Sequence, residues 1–159
     1  MKKQNGNRYI RREPRNDYMK FYRVIRRYTM LKYELSNADL EMLLYLYTAG
    51  LFTYYEYLTY ANNFSWDKLR FKRLKEGGWI HMFRDKRGNE HRLYELTRHG
   101  RHVITNFYKM LNAEMEISTV LKNNPAVARR NFSEKTLMLG IEEFNKYVRS
   151  RNPRTVREY

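Results

Sequence analysis

The 159-residue sequence predicts a mainly α-helical fold that carries one β-hairpin. The stretch Phe64–Thr97 contains a basic helical segment, a Gly77-Gly78 pair and two short alternating runs around a charged turn. Glycine supplies the left-handed residue that ends many helices, and alternating runs around a Gly-containing turn are typical of a hairpin. Apolar residues recur at helical spacing on both sides of this stretch, which predicts long helices before and after it.

Three helices are predicted before the basic segment. Their ranges are about 17–33, 37–49 and 54–62. Their candidate capping residues are Asn16 or Asp17 for the first, Ser36 with Asp39 for the second, and Thr53 with Glu56 for the third. Ser or Thr answered three residues later by an acid forms a capping box. The second helix is the most apolar, so we expect it to be the central core helix.

The basic segment predicts a helix over 65–77, capped by Ser65, and then a hairpin over 79–97. The strands of this hairpin are Trp79–Phe83 and a return strand that contains Leu93, Tyr94 and Leu96. Two short capped helices followed by a hairpin are the order of a winged helix-turn-helix, in which the second helix is the recognition helix and the hairpin is the wing.

Two further helices are predicted after the hairpin. Thr97 caps the first, over 98–122, and Asn123-Asn124-Pro125 ends it. The last, over 133–150, is expected to bury Leu137, Leu139, Ile141, Phe144 and Val148. We therefore expect a single winged-helix domain over 16–150, with long N- and C-terminal helices, a flexible basic arm at 1–15 and a basic tail at 151–159.

The chain is strongly basic, with a formal net charge of +15 and 42% apolar residues. Residues 64–102 hold 11 Lys/Arg against 5 Asp/Glu, and residues 1–35 hold 11 against 3, whereas residues 36–63 hold no Lys/Arg and 3 Asp/Glu. A strong positive balance indicates an anionic partner. Because the charge gathers on the arm and on the helix-hairpin unit, we expect that partner to be double-stranded DNA.

Several other classes of protein find little support. There is no cysteine, so thiolate chemistry and disulfides are excluded, and no apolar run approaches the roughly 18 residues of a membrane helix. The N-terminus has no apolar segment behind its charges, so we expect a cytoplasmic protein, or one inside a viral particle. No catalytic motif stands out. We expect no enzyme, no cofactor and no metal site.

Candidate DNA-binding residues fall into three groups. Those of the recognition helix are Ser65, Trp66, Lys68, Arg70, Lys72, Arg73 and Lys75. Those of the wing are Arg84, Lys86, Arg87 and Arg92, and those of the arm are Lys2, Lys3, Arg8, Arg11, Arg12 and Arg15. At 100° per residue, Lys68, Lys72 and Lys75 share one face of the helix, and Trp66, Leu69, Phe71 and Leu74 share a broad apolar side. Arg70 and Arg73 fall on that apolar side, so we expect them to reach its edges.

The order of these elements resembles the MarR-like winged-helix regulators. The closest similarities are FKRLKEGGWI, at the end of the recognition helix and the turn into the wing, and LTRHGR, at the entry into the next helix. The resemblance implies a dimeric transcriptional regulator. Its homodimer would form through the first and last helices, with two recognition helices in successive major grooves and the wings along the backbone or minor groove. Where the family has apolar residues this chain has Asp67 and Arg70, which either pair across one turn or indicate a different docking of the helix.

A second interpretation uses the same scaffold for docking to protein. Winged helices serve several functions, because fold alone does not determine function. The protein would then be a structural or adaptor component of a larger assembly, such as a phage particle, and the basic tails would bind other subunits.

Overall fold

A helix that is buried over much of its circumference, Asn37–Ala49, lies at the centre of the fold, where Leu40, Met42, Leu43 and Leu46 have no exposed surface. The computed structural model describes residues 17–152. In chain order these residues form α1 (Tyr22–Tyr33), α2 (Asn37–Ala49), α3 (Tyr54–Asn63), α4 (Arg70–Glu76), β1 (Ile80–Arg84), β2 (Leu93–Leu96), α5 (Arg98–Leu111), a 3₁₀ helix (Pro125–Ala128) and α6 (Phe132–Arg151). The mainly helical fold with one antiparallel hairpin is confirmed.

Both predicted capping boxes are confirmed. At the start of α2 the Ser36 hydroxyl accepts the Asp39 N–H at 3.1 Å, and the Asp39 carboxylate accepts the Ser36 N–H at 3.0 Å. Thr53 and Glu56 exchange the same pair of hydrogen bonds at the start of α3. Each box satisfies two of the N–H groups that a helix start leaves unpaired.

The first helix begins later than predicted. Residues 18–21 form turns, and the helix proper begins at Tyr22. The Asp17 carboxylate accepts the N–H groups of Met19 and Lys20. Asp17 therefore caps this leading turn and not α1 itself.

The prediction of a helix over 98–122 was wrong, because α5 ends at Leu111. Ala113 has a left-handed backbone with φ of 55°, which breaks the helical path. Ile117 is buried all the same, because the following loop docks on α6. There the Asn145 side chain donates to the Ile117 carbonyl at 2.8 Å and accepts the Ile117 N–H at 2.9 Å. The apolar pattern therefore indicated correctly that Ile117 is buried, but Ile117 lies in a loop and not in a helix.

The first and last helices pack against each other within one chain. Phe21 meets Phe144 edge-on with 5.4 Å between ring centroids, and Gly140 faces Val24 so closely that a Cβ there would lie 2.8 Å from Val24 Cγ2. The range of α6 agrees with the predicted 133–150 to one residue at each end. The expected burial of Leu139 was wrong, because its side chain is 63% exposed. Phe132, at the start of the same helix, is 84% exposed.

The hairpin is antiparallel, with Ile80 opposite Leu96 and Met82 opposite Tyr94. The segment before α3 adds a contact that was not predicted. Phe52 forms a bridge to Tyr94, and their backbone N–H and carbonyl groups exchange hydrogen bonds of 3.0 and 2.8 Å. This bridge fixes the start of α3 beside the hairpin.

Two sequence-based expectations concern the ends of the chain and the membrane. The basic arm at 1–15 lies outside the described residues, as does the tail beyond Asn152. Within residues 17–152 no helix is long and apolar enough to cross a membrane.

Replacing Asn145 with alanine tests how the loop after α5 is held. The change leaves the N–H and carbonyl of buried Ile117 without partners, and each such group costs about 1–3 kcal/mol. We expect the free energy of unfolding, measured by urea titration, to fall by about 2–4 kcal/mol. Asn106→Ala is the control, because Asn106 is half-buried and bonds to His102. An equal loss in both variants would contradict the role given to Asn145.

Candidate nucleic-acid interface

The turn between α3 and α4 uses Ser65 differently from the prediction. The Ser65 N–H donates to the Asn62 carbonyl at 3.3 Å, and the Trp66 N–H donates to the Ala61 carbonyl at 2.8 Å. With Ser65 left-handed at φ of 55°, these two bonds form a Schellman motif. Ser65 therefore ends α3, and its predicted role as the N-cap of a helix over 65–77 was wrong.

Trp66 anchors this turn on the core. Its ring centroid lies 4.8 Å from that of Phe64 and 6.1 Å from that of Tyr45, and its side chain is half-buried. Tyr57 of α3 is fully buried, and its hydroxyl lies 3.5 Å from the Asp67 carbonyl oxygen. Burial raises the pKa of Tyr57 to about 12. Trp66 therefore contributes packing here.

Arg70 is turned inward, so the structure does not bring it onto the exposed face of α4. Its guanidinium pairs with the Asp39 carboxylate and donates to the Ser36 hydroxyl at 3.0 Å. The Arg70 side chain is only 12% exposed. Of the two alternatives for Asp67 and Arg70, the pair across one turn does not form, because the Asp67 carboxylate accepts the Leu69 N–H at 2.9 Å and Arg70 pairs with Asp39. Arg70 ties the start of α4 to the capping box of α2.

Asp39 is the acceptor at the centre of this arrangement. Burial raises the pKa of Asp39, but the hydrogen bonds from Ser36 and Arg70 and the charge of Arg70 outweigh burial and hold the pKa below its usual range. One carboxylate thus caps α2 and holds α4 at the same time. Neither Ser36 nor Asp39 was predicted to act outside α2, although their capping box was visible in the sequence.

The exposed face of α4 is basic. Lys72, Arg73 and Lys75 lie on it, opposite the buried Phe71 and Leu74. Arg73 is 60% exposed and lies 3.9 Å from Asp39, the partner of Arg70, so it reaches the edge of the apolar side. Lys68 precedes the helix, in a turn, and is exposed.

The two lysines of this face make no close ion pair with a carboxylate among the described residues. Lys72 lies 3.9 Å from Glu76, a loose pair at helical spacing. The Lys75 ammonium lies 5.7 Å from the ring centroid of Tyr94 in the hairpin. Leu69, which the sequence places on the apolar side of the helix, is 72% exposed. The helix is shorter than predicted because Leu69 belongs to the turn.

The four wing cations divide into two kinds. Arg84 pairs with Glu90 at 2.8 Å and Arg92 with Asp85 at 2.7 Å, and the hydrogen bond from Arg92 lowers the pKa of Asp85. The other two, Lys86 and Arg87, are exposed and have no ion pair among the described residues. The exposed pairs Arg84–Glu90 and Arg92–Asp85 stabilise the turn only weakly. The tip of the hairpin therefore presents Lys86 and Arg87.

A carboxylate on the return strand joins the hairpin to α5. Glu95 accepts from His81 at 2.8 Å and from Arg101 at 2.8 Å. These partners, the His81 hydrogen bond first, lower the pKa of Glu95 despite some burial. Arg98, at the first position of α5, is exposed and has no ion pair in the described part of the chain.

An open groove of about 450 Å³ lies between the start of α3 and the hairpin. It is lined by Tyr54, Tyr55, Lys86, His91, Arg92 and Tyr94. Of these residues, the sequence predicted Lys86 and Arg92 to bind DNA. The aromatic residues come from two segments about 40 residues apart, which the Phe52–Tyr94 bridge holds together.

The candidate metal ligands do not gather in this region. Across residues 17–152 no group of three or more His, Asp or Glu side chains is placed to hold a metal ion. His99 instead packs between Tyr33 and Trp79.

No protein-family model, curated protein or solved structure gives a significant match to this chain.

Neighbouring arginines in α4 provide a matched test of the inward pairing. Arg70→Ala removes the partly buried partner of Asp39, and we expect it to lower the free energy of unfolding by about 2–3 kcal/mol. Arg73→Ala removes an equal charge from an exposed position, and we expect a loss below about 0.5 kcal/mol. Thermal or urea unfolding measures both. Similar small losses would show that Arg70 does not hold α4.

Proposed function

We propose that this protein binds double-stranded DNA through a winged helix-turn-helix. The observation that carries the proposal is a group of exposed cations on the turn before α4, on α4 itself and at the tip of the hairpin. The Lys75 ammonium of α4 lies 5.7 Å from the ring centroid of Tyr94, a buried hairpin residue that lines the same groove as Lys86. The other exposed cations of this group are Lys68, Lys72, Arg73 and Arg87.

Several features support the winged-helix arrangement. A tight turn joins α3 to α4, and the hairpin follows α4 directly after Gly77-Gly78. The Phe52–Tyr94 bridge supplies a short third edge to the hairpin, so that the helix pair and the hairpin are built as one unit. In this proposal α4 enters a major groove and the tip of the hairpin lies along the neighbouring backbone.

The types of cation on this surface favour contacts to the phosphate backbone over contacts to bases. The α4 face and the turn before it present three lysines and one arginine, and lysine is a point charge without the planar fork that reads guanine in two hydrogen bonds. The arginine with the best-defined geometry, Arg70, is turned toward Asp39. Affinity for the duplex is therefore expected to depend more on phosphate contacts than on base contacts.

The regulator and homodimer expectations are part of this proposal. The likeness to MarR-like regulators rests on the order of elements and on the two motifs quoted above. A second copy would find apolar side chains on α6, where Phe132 and Leu139 lie two turns apart and are exposed. Two α4 helices would then reach successive major grooves of one duplex.

Charge reversal on the α4 face tests the proposal. We expect Lys68→Glu, Lys72→Glu and Lys75→Glu together to weaken binding by about 10²–10³-fold at moderate salt, because three phosphate contacts are lost. Binding is measured on a blunt duplex of about 30 base pairs, long enough for two half-sites one helical turn apart. The stoichiometry of the wild-type complex, two chains per duplex, is read from the same titration.

The matched control reverses three exposed lysines elsewhere, Lys109, Lys122 and Lys135. It changes the net charge by the same amount, so the loss expected from it is less than about tenfold. Circular dichroism verifies that both variants are folded. Equal losses would place the effect in the total charge, and an unchanged affinity in the α4 variant would refute the site and favour the docking role.

A further inference from the structure

The groove between α3 and the hairpin has the size and the lining of a ligand site. Its volume of about 450 Å³ lies within the range of roughly 300–1,000 Å³ typical of small-molecule pockets. One wall is the first turn of α3, with Tyr54 and Tyr55. The other is the hairpin, with Lys86, His91 and Arg92, and Tyr94 lies between the two.

The aromatic walls differ in how they are held. Tyr54 is fixed by the core, because its ring meets Phe71 edge-on at 5.0 Å and lies nearly parallel to Tyr57. Tyr55 is 62% exposed and touches His91 at 4.8 Å between ring centroids, at an angle of 60°. An exposed tyrosine contributes little to the core. Capping does not require it either, because Thr53 and Glu56 do that work.

The charges of the groove are positive. Lys86 is exposed and has no ion pair among the described residues, and Arg92 is paired with Asp85 through Nε. Two cations therefore stand against one carboxylate. A flat, polar-edged ring held beside a cation matches the chemistry of a nucleotide, which combines an aromatic base with a phosphate.

We propose that this groove binds an unpaired nucleotide of a DNA strand that leaves the duplex, with the base stacked on the Tyr55 ring, its edge toward His91, and its phosphate beside Lys86. This inference rests on the proposed duplex binding, and it adds a second element that the protein recognises. A base inside a duplex is covered on both faces by its neighbours, so only an unpaired base offers its face to a side chain. Tyr94 lines the groove, and the Lys75 ammonium of α4 lies 5.7 Å from the centroid of its ring. The groove therefore adjoins the proposed duplex-binding helix, within reach of a strand that leaves the duplex there.

Photochemical crosslinking tests the position of the base. The probe is the same duplex with a short single-stranded extension, in which 5-iodouracil occupies the first unpaired position. Irradiation joins this base to an aromatic side chain that is stacked on it, and peptide mapping locates the joint. We expect the crosslink at Tyr55 or His91. A crosslink confined to other residues would overturn the inference.

Affinity measurements test the energetic contribution. We expect the extended duplex to bind more tightly than the blunt one. Tyr55→Ala should weaken binding to the extended duplex by about 5- to 100-fold, the loss typical of truncating a stacking aromatic, and should leave blunt binding unchanged. Tyr55→Phe keeps the ring and should retain the preference. Tyr18→Ala is the control, because Tyr18 is also exposed but lines a different cleft, with Leu111 and Tyr147.

The outcomes separate this inference from the proposed function. Binding of the extension with a Tyr55 or His91 crosslink, but no binding of the blunt duplex, would refute duplex binding and support the groove. Equal binding of both probes, with no effect of Tyr55→Ala, would support duplex binding and overturn the groove. Absence of binding to either probe would overturn both.

Discussion

The pairing of Arg70 with Asp39 and Ser36 is the constraint on which the candidate interface depends. The Asp39 carboxylate caps α2 and accepts from Arg70, so the central core helix and α4 share one acceptor. Because Arg70 occupies the inner side of α4, the next polar positions of this short helix face outward. The basic surface is therefore oriented by a polar contact with the core.

A short helix can present a binding surface only if its two ends are held. The Schellman motif at Ser65 and the Trp66 ring fix the approach to α4, and Gly78, left-handed at φ of 77°, turns the chain out of it. The Phe52–Tyr94 bridge then keeps the hairpin beside α3. Together these contacts hold α3, α4 and the hairpin in one arrangement, which is the pre-organisation that binding to a regular duplex requires.

The sequence predicted those elements whose signals are local. The capping boxes of α2 and α3 and the strand residues Leu93 and Tyr94 were found because turn and cap chemistry lies within a few residues. The start of α4 was misplaced because left-handed Ser65 has no sequence signature, whereas a left-handed glycine has one. Periodicity assigned Ile117 to a helix because burial looks the same in a docked loop. The partner of Arg70 and the two sides of the Tyr55–His91 contact are far apart in the chain, so only tertiary structure brings them together.

The salt dependence of duplex binding by the unmodified protein is the most direct test of an electrostatic interface on α4 and the hairpin. With about six phosphates neutralised by the exposed cations of each chain, we predict that the logarithm of the binding constant per chain falls with the logarithm of salt concentration with a slope of about −5 to −6. A slope near zero would contradict a phosphate-binding surface. The positive charge of this region would then have to serve another partner.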